Sequence, residues 1–139
     1  MEIRYYEEKP DIETYYDLRA SVGWDNFSEE QAIKALDKRD FFILAKDGEK
    51  TVGMGSVVGD GMYCTIVDVA IKPEYQGMKI GATIINKLVE AIEKEAPKGA
   101  RLSIQLIAAK GKEGFYIKQG FGAIPDENCG SALRKLIYT

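Results

Sequence analysis

The chain has 139 residues, 45% of them hydrophobic and 29% charged, which is an ordinary composition for one soluble globular domain spanning residues 1–139. Its formal net charge is −3 with a pI of about 5.1, and no basic run stands out, so the composition argues against a nucleic-acid-binding protein. Histidine is absent, which excludes Ser-His and Cys-His nucleophiles and histidine-ligated metal sites.

The first half of the chain predicts two capped helices and three strands. Asp11 is placed to cap a helix that ends near Val22, and Ser28 with Gln31 forms a capping box for a second short helix. The dipeptide Asp47-Gly48 is a typical hairpin turn between two apolar runs. The strands predicted in this half lie at residues 2–7, 41–46 and 51–58.

The second half alternates strands and helices. Asp60-Gly61 marks a turn before a long strand, and Pro97 with Gly99 ends the helix that follows that strand. This order predicts an α/β (α+β) fold, in which helices cover both faces of a mixed sheet. The strands predicted in this half lie at 62–71, 101–107, 121–124 and 132–138, and the helices at about 80–96 and 110–119.

The first residues and the two cysteines bear on cellular location. Residues 1–10 contain no apolar segment typical of a secretory signal, and no stretch reaches the about eighteen apolar residues of a membrane span. Cys64 and Cys129 lack the spacing of a metal site, and we expect both to remain reduced. We therefore expect a cytoplasmic protein that does not bind membranes.

The segment from Val67 to Ile92 carries the clearest functional pattern. An apolar strand ending at Ile71 runs through a glycine-containing turn into an amphipathic helix. Backbone N–H groups at such a junction lack partners and converge, and the helix dipole adds partial positive charge. The turn therefore predicts a phosphate or pyrophosphate site. Taken alone, Gln76–Gly81 is equally compatible with an ordinary turn between strand and helix.

This turn resembles the acyl-CoA-binding loop, Gln/Arg-x-x-Gly-x-Gly/Ala, of the GCN5-related N-acetyltransferase (GNAT) superfamily. Gln76, Gly77 and Gly81 match the loop, whereas Lys79 stands where the family usually has glycine. A positive φ at this position would be costly for lysine, but its ammonium group could add a cation beside the pyrophosphate.

A second segment strengthens the resemblance. Gly114–Phe121 looks like the Phe-Tyr-x-x-x-Gly-Phe signature that follows the CoA loop in the same superfamily. Either motif alone is weak, but both in this order, separated by a helix and a strand, are hard to obtain by chance. The resemblance covers residues 40–138, and the residues before it match only in their helical character.

The resemblance implies a GNAT-like fold with about six to seven mostly antiparallel strands and a splay between the strands at 62–71 and 101–107. It implies acetyl-CoA as the donor, CoA as the product and no metal. The pantetheine arm would enter the splay and pair with the backbone of the first strand, while the pyrophosphate would lie on the turn. The coenzyme-binding residues implied are Val69, Ala70, Ile71, Gln76, Gly77, Met78, Lys79, Ile80, Gly81 and Ala82.

Two functions agree with these motifs. The first is an N-acetyltransferase that moves the acetyl group directly to a primary amine of a small molecule or peptide in a ternary complex. The alternative is a non-catalytic acyl-CoA-binding module that serves as a sensor or interaction partner. The sequence does not identify the acceptor, and a homodimer formed through the strand at 132–138 is possible.

Tyr116 and Asp68 are the candidate catalytic residues. In the resembled family the tyrosine of the second motif donates a proton to the CoA thiolate, whereas the alternative for Tyr116 is aromatic packing beside Phe115 and Phe121. Asp68 interrupts an apolar strand, and burial would raise its pKa toward the range of a general base. The alternative is a structural aspartate bonded to a neighbouring backbone group or cation.

The residues between the first two helices are the candidate acceptor site. Trp24 and Phe27, with Asp25 between them, could grip an amine through aromatic faces and one carboxylate. The alternative is that these aromatic side chains close the core beneath the loop.

Overall fold

Five strands form one sheet whose spatial order is the order of the chain. The computed structural model describes residues 1–139, and β1 to β4 pair antiparallel while β4 and β5 pair parallel. The strands are β1 (Ile3–Tyr6), β2 (Phe41–Asp47), β3 (Lys50–Gly59), β4 (Tyr63–Ile71) and β5 (Ser103–Gln105). The helices are α1 (Ile12–Ser21), α2 (Glu29–Asp37), α3 (Ile80–Glu95) and α4 (Glu113–Lys118). None of these helices combines the length and apolar character needed to cross a bilayer.

The chain divides into two compact units, Met1–Ile107 and Ala108–Thr139. The first unit contains the whole sheet with α1, α2 and α3, and the second contains α4. A single-domain organisation over residues 1–139 stays a prediction.

The first two helices begin where the sequence predicts. The Asp11 carboxylate accepts a hydrogen bond from the Thr14 N–H at 2.7 Å, and the Ser28 hydroxyl accepts one from the Gln31 N–H at 3.3 Å. Each side chain thereby satisfies a backbone donor that the first helical turn leaves unpaired. Asp11 and Ser28 are confirmed as N-caps, whereas the reciprocal bond from the Gln31 side chain that would complete the capping box is not formed.

Helices cover both faces of the sheet, as predicted. On one face, Met54 of β3 and Ala70 of β4 belong to a buried cluster with residues of α1 and α2. On the other face, a Cβ added at Gly55 would lie 2.7 Å from the Ile84 Cγ2 of α3, so α3 packs directly on the β3 backbone. The buried stripe of α3 has the 3.6-residue period of an amphipathic helix and consists of Ile80, Ile84, Ile85, Leu88 and Ile92.

The predicted splay is present between β4 and β5. Residues Tyr63, Cys64 and Thr65 of β4 pair with β5, and the register ends there. β4 itself continues to Ile71. The last part of β4 therefore pairs with β3 alone, and its other backbone edge lies beyond the end of β5.

The strand count is lower than predicted, because the segments at 121–124 and 132–138 do not form strands. The second unit contains only an isolated bridge between Asp126 and Cys129 besides α4. Leu133 and Tyr138 are 93% and 90% exposed, so the alternating pattern that predicted a strand has no buried face here. An alternating pattern indicates a strand only where a pairing edge and a buried face are also available. The sheet thus has five strands rather than six to seven.

Candidate active site

A β-bulge in β4 lies opposite Gly55 of β3. Met54 pairs with Ala70 and Ser56 pairs with Val67, so Asp68 and Val69 together oppose one residue of β3. Asp68 has a φ of +56°, in the left-handed region. A bulge re-aims the backbone groups of the strand that carries it, and such bulges are common beside active sites.

The carboxylate of Asp68 is held by three donors. The Tyr15 hydroxyl donates to Oδ2 at 2.6 Å, the Arg19 Nη1 to Oδ1 at 2.8 Å and the Arg39 Nη1 to Oδ2 at 2.9 Å. The side chains of Asp68 and both arginines are 10–12% exposed, so these are largely buried ion pairs. We call these four residues the Asp68 network.

Tyr15 remains a hydrogen-bond donor within the Asp68 network. Burial and, secondly, the hydrogen bond to Asp68 raise the pKa of Tyr15 to about 12. The phenol is therefore protonated at neutral pH. Three donors thus engage Asp68, two on Oδ2 and one on Oδ1, which is the arrangement of the structural alternative. A catalytic role as general base stays a prediction.

Arg19 links the Asp68 network to the loop between α1 and α2. Its Nη2 donates to the Asp25 carbonyl oxygen at 2.6 Å. Its guanidinium carbon lies 5.3 Å from the ring centroid of Trp24, 4.9 Å from that of Phe27 and 5.7 Å from that of Tyr15. The candidate acceptor residues Trp24 and Phe27 are thus brought together, around a cation supplied by the protein itself.

Sequence reasoning missed Arg19 and Arg39. The available signal for Arg19 was its position on α1, one helical turn after Tyr15 and beside Leu18, both of which are buried. An arginine on the apolar face of a helix, together with an aspartate inside an apolar strand, is a pattern that indicates a buried ion pair. Trp24 packs against the core, as the packing alternative predicts, whereas Phe27 is 50% exposed, as expected of a residue that could contact an acceptor.

The turn before α3 has the features expected of an anion site. After a 3-10 turn at Pro73–Tyr75, Gly77 adopts a φ of +82° and Lys79 a φ of +66°. No side chain caps α3, and the Thr83 N–H, which donates to the Lys79 carbonyl at 3.1 Å, makes the first backbone bond of the helix. The N–H groups of the first helical turn are therefore available to an anion. We call Gln76–Ala82 the α3 cradle.

Lys79 and Gln76 define the shape of the α3 cradle. Lys79 stands in the left-handed conformation for which glycine is the usual residue, and this conformation costs lysine about 1–2 kcal/mol. The Gln76 Nε2 donates to the Ile71 carbonyl at 3.0 Å and ties the turn to the end of β4. Open space surrounds the position that a Cβ of Gly77 would take, which leaves room for a bulky anion such as a diphosphate.

The end of β4 supplies backbone groups beside the α3 cradle. Ala70 and Ile71 pair with Met54 and Gly53 on the β3 side, and the pairing with β5 has already ended at Thr65. Ala70 is 2% exposed, so its side chain belongs to the core. The backbone groups at the end of β4 that do not pair with β3 therefore lie on the splayed edge. Coenzyme binding by Val69, Ala70 and Ile71 stays a prediction.

Tyr116 lies on α4 in the second unit. Its ring packs edge-on against Phe115, with centroids 4.9 Å apart, and against Phe121 at 6.2 Å. Burial raises the pKa of Tyr116 above its usual value of 10, without a contribution from a hydrogen-bonded partner. The tyrosine thus both packs among aromatic rings and keeps its proton at neutral pH.

Comparison with known proteins identifies relatives along most of the chain. A family profile described as an acetyltransferase (GNAT) domain matches residues 12–135. Serotonin N-acetyltransferase 2, chloroplastic, of Oryza sativa subsp. japonica is 28% identical over 128 residues, which cover 88% of this chain and 62% of that protein. A Bacillus subtilis protein, whose name proposes alanine N-acetylation of ribosomal protein bS18, is 28% identical over 135 residues, covering 93% of this chain and 82% of its own. A GNAT-family acetyltransferase structure from Streptococcus pneumoniae TIGR4 has a TM-score of 0.81 and 27% identity, over 97% of this chain and 98% of that one.

Proposed function

Because the chain belongs to the GNAT acetyltransferase family, we propose that it transfers an acetyl group from acetyl-CoA to a primary amine by direct transfer in a ternary complex. The observation that carries this proposal is the junction of β4 and α3. There, uncapped amides of the α3 cradle directly follow a strand edge that β5 leaves unpaired. Acetyl-CoA would supply the activated acetyl thioester.

The α3 cradle would bind the diphosphate of the coenzyme. The backbone N–H groups from Gly77 to Ala82 and the helix dipole favour an anion, and the Lys79 ammonium adds a cation next to them. The main-chain groups of Val69, Ala70 and Ile71 would hold the pantetheine arm as an additional strand would be held. Apart from the contribution of the Lys79 ammonium, both interactions depend on backbone geometry rather than on side-chain identity.

The bulge of β4 supports a role in stabilising the transition state. We assign the Val69 N–H to the oxyanion that develops on the acetyl carbonyl, since the bulge at Asp68 re-aims the backbone at this point. An alkyl amine with a pKa near 10.4 is only about one part in a thousand neutral at physiological pH, so removing its proton is worth about 4 kcal/mol. Because three donors already engage Asp68, we propose water as the first acceptor of that proton, and Asp68, whose Oδ1 accepts only one of these bonds, as the alternative.

Tyr116 is the proposed general acid. Its raised pKa keeps the phenol protonated at neutral pH, so Oη can deliver a proton as the thiolate leaves. We expect Tyr116→Phe to lower kcat by about 100-fold, in line with the usual contribution of general acid catalysis, and to leave the Kd of acetyl-CoA unchanged. A thiol-release assay and calorimetric titration measure the two quantities.

Tyr138→Phe is the matched control for this substitution. It makes the same chemical change in the same unit, on a side chain that is 90% exposed. We expect it to retain wild-type kcat. Full activity of Tyr116→Phe would remove the general-acid assignment.

The acceptor is proposed to approach along the loop that carries Trp24 and Phe27. The exposed half of the Phe27 ring suits an acceptor with an apolar or aromatic part. Relatives named for serotonin and for alanine of ribosomal protein bS18 suggest which amines to test first. The acceptor class, a cytoplasmic location and a homodimer stay predictions.

The direct test is thiol release from acetyl-CoA across an amine panel that contains serotonin, an alanine-initiated peptide, polyamines and amino acids. The proposal expects amine-dependent release with at least one acceptor class. Tight binding of acetyl-CoA without turnover on any amine would instead support a non-catalytic acyl-CoA-binding module.

A further inference from the structure

The two terminal nitrogens of the Arg19 guanidinium bond to different parts of the fold. Nη1 bonds to Asp68, which forms the bulge of β4, and Nη2 bonds to the backbone carbonyl of Asp25. Its guanidinium carbon lies 5.3 Å from the ring centroid of Trp24 and 4.9 Å from that of Phe27. One side chain therefore connects the bulge with the loop between α1 and α2, residues 22–28, which we call the acceptor loop.

Two features at Arg19 and its partner Asp68 lower the stability of the fold. The residue is 8% exposed, and its Nε–H is buried without a hydrogen-bond partner. Asp68, its ion-pair partner, stands in the left-handed region. A buried unpaired donor and a strained backbone each cost free energy, and such features concentrate at functional sites.

Arg39 provides an internal comparison because it shares Asp68 but not the acceptor loop. It donates from Nη1 to Asp68 at 2.9 Å and to the Ser56 hydroxyl at 2.6 Å, and its guanidinium lies 6.0 Å from the Phe42 ring. These contacts are with β2, β3 and β4. Losing either arginine removes one ion pair from Asp68, but only losing Arg19 also removes side-chain contacts with the acceptor loop.

We propose that Arg19 is a positioning residue that holds the acceptor loop against the bulge of β4 and thereby sets where the acceptor amine meets the acetyl group. This role rests on the proposed function. It also places a protein cation beside one face of each of the Trp24 and Phe27 rings, so a substrate ammonium would compete with Arg19 for a cation–π contact there.

The loop's attachment is measurable without any substrate, because Trp24 is the only tryptophan of the chain. Acrylamide quenching of its fluorescence reports how accessible the acceptor loop is. We expect Arg19→Met to raise the quenching constant by about twofold, as a loop released from its packing should, and Arg39→Met to leave it at the wild-type value. Arg19→Lys, which keeps the charge opposite Asp68 but loses the planar fork, should give an intermediate value.

Equal quenching constants for Arg19→Met and Arg39→Met would overturn the proposal, since the loop would then depend on Asp68 in general and not on Arg19. If Arg19→Met does not fold, as judged by circular dichroism, then Arg19→Lys against Arg39→Lys makes the same comparison. Identical quenching in that pair would equally overturn it.

The kinetic readout uses the amine that the panel identifies. We expect Arg19→Lys to raise the KM of the amine by about tenfold through misplacement of the acceptor, with the KM of acetyl-CoA unchanged. If Arg19 only stabilised the fold, Arg19→Lys would raise the KM of the amine and that of acetyl-CoA together, and this result would contradict the proposal. Absence of any wild-type turnover would refute the proposed function alone, and the quenching comparison would still decide whether Arg19 positions the loop.

Discussion

Among single residues, Asp68 combines two features that are unfavourable in isolation. Its left-handed backbone is uncommon for a residue with a Cβ, although aspartate adopts it more readily than most, and burying an unpaired carboxylate is far more costly. The donors on Tyr15, Arg19 and Arg39 offset both costs. The Asp68 side chain thus stabilises the conformation of the bulge, and its negative charge is the counter-ion of the two buried arginines.

Asp68→Asn tests this role, because asparagine tolerates the left-handed region and the change removes little besides the charge. We expect a loss of about 3–5 kcal/mol in the free energy of unfolding, since two buried guanidiniums lose their counter-ion. Urea denaturation measures it. The control Glu30→Gln, whose pair with Lys34 has side chains 84% and 74% exposed, should change stability by less than about 0.5 kcal/mol. Similar losses in both variants would show that the Asp68 network is not structural.

Lys79 brings backbone strain and a positive charge to the same position. Lys79→Gly removes the strain and the charge, whereas Lys79→Ala removes the charge alone. We expect Lys79→Gly to gain up to about 1 kcal/mol in the free energy of unfolding and Lys79→Ala to gain nothing. Both should weaken acetyl-CoA binding equally, as calorimetry would show. Unchanged affinity in both variants would mean that the ammonium makes no contact with the diphosphate.

At the level of elements, the close packing of α3 on β3 holds the α3 cradle at the end of β4. Gly55 permits this contact, because a Cβ there would lie 2.7 Å from Ile84 Cγ2 and 3.2 Å from Leu88 Cδ1. A side chain at this position would push the helix away from the sheet.

Gly55→Ala should therefore destabilise the protein by about 1–3 kcal/mol and weaken acetyl-CoA binding, because α3 carries the cradle with it. Gly114→Ala is the matched control, since no atom lies within 4 Å of the added methyl group. We expect the control to be neutral or slightly stabilising in thermal unfolding. Wild-type stability of Gly55→Ala would contradict the packing described here.

The elements that could be predicted from sequence are those specified locally. The β4–turn–α3 unit follows from periodicity, and the departure at Lys79 correctly marked a position of positive φ. The partners of Asp68 could not be predicted in the same way, because Tyr15, Arg19 and Arg39 lie 53, 49 and 29 positions away in the chain. The strands at 121–124 and 132–138 failed for a related reason: a local pattern does not reveal whether a pairing edge exists.

For the whole molecule, the residues proposed for coenzyme binding and the residue proposed for proton delivery belong to different compact units. The α3 cradle, the splayed edge and the Asp68 network belong to Met1–Ile107, whereas Tyr116 belongs to Ala108–Thr139. The family supplies the reaction class, and we propose that the acceptor loop supplies the acceptor preference, which relatives of different named substrates need not share.

The most direct test of the central claim follows the backbone amides of ¹⁵N-labelled protein by NMR while acetyl-CoA is added. If main-chain N–H groups bind the diphosphate, the amides of Gly77, Met78, Ile80 and Gly81 will show the largest shifts, and those of Val69 and Ile71 will follow. Shifts concentrated elsewhere in the chain, with the α3 cradle unperturbed at saturating acetyl-CoA, would contradict the account.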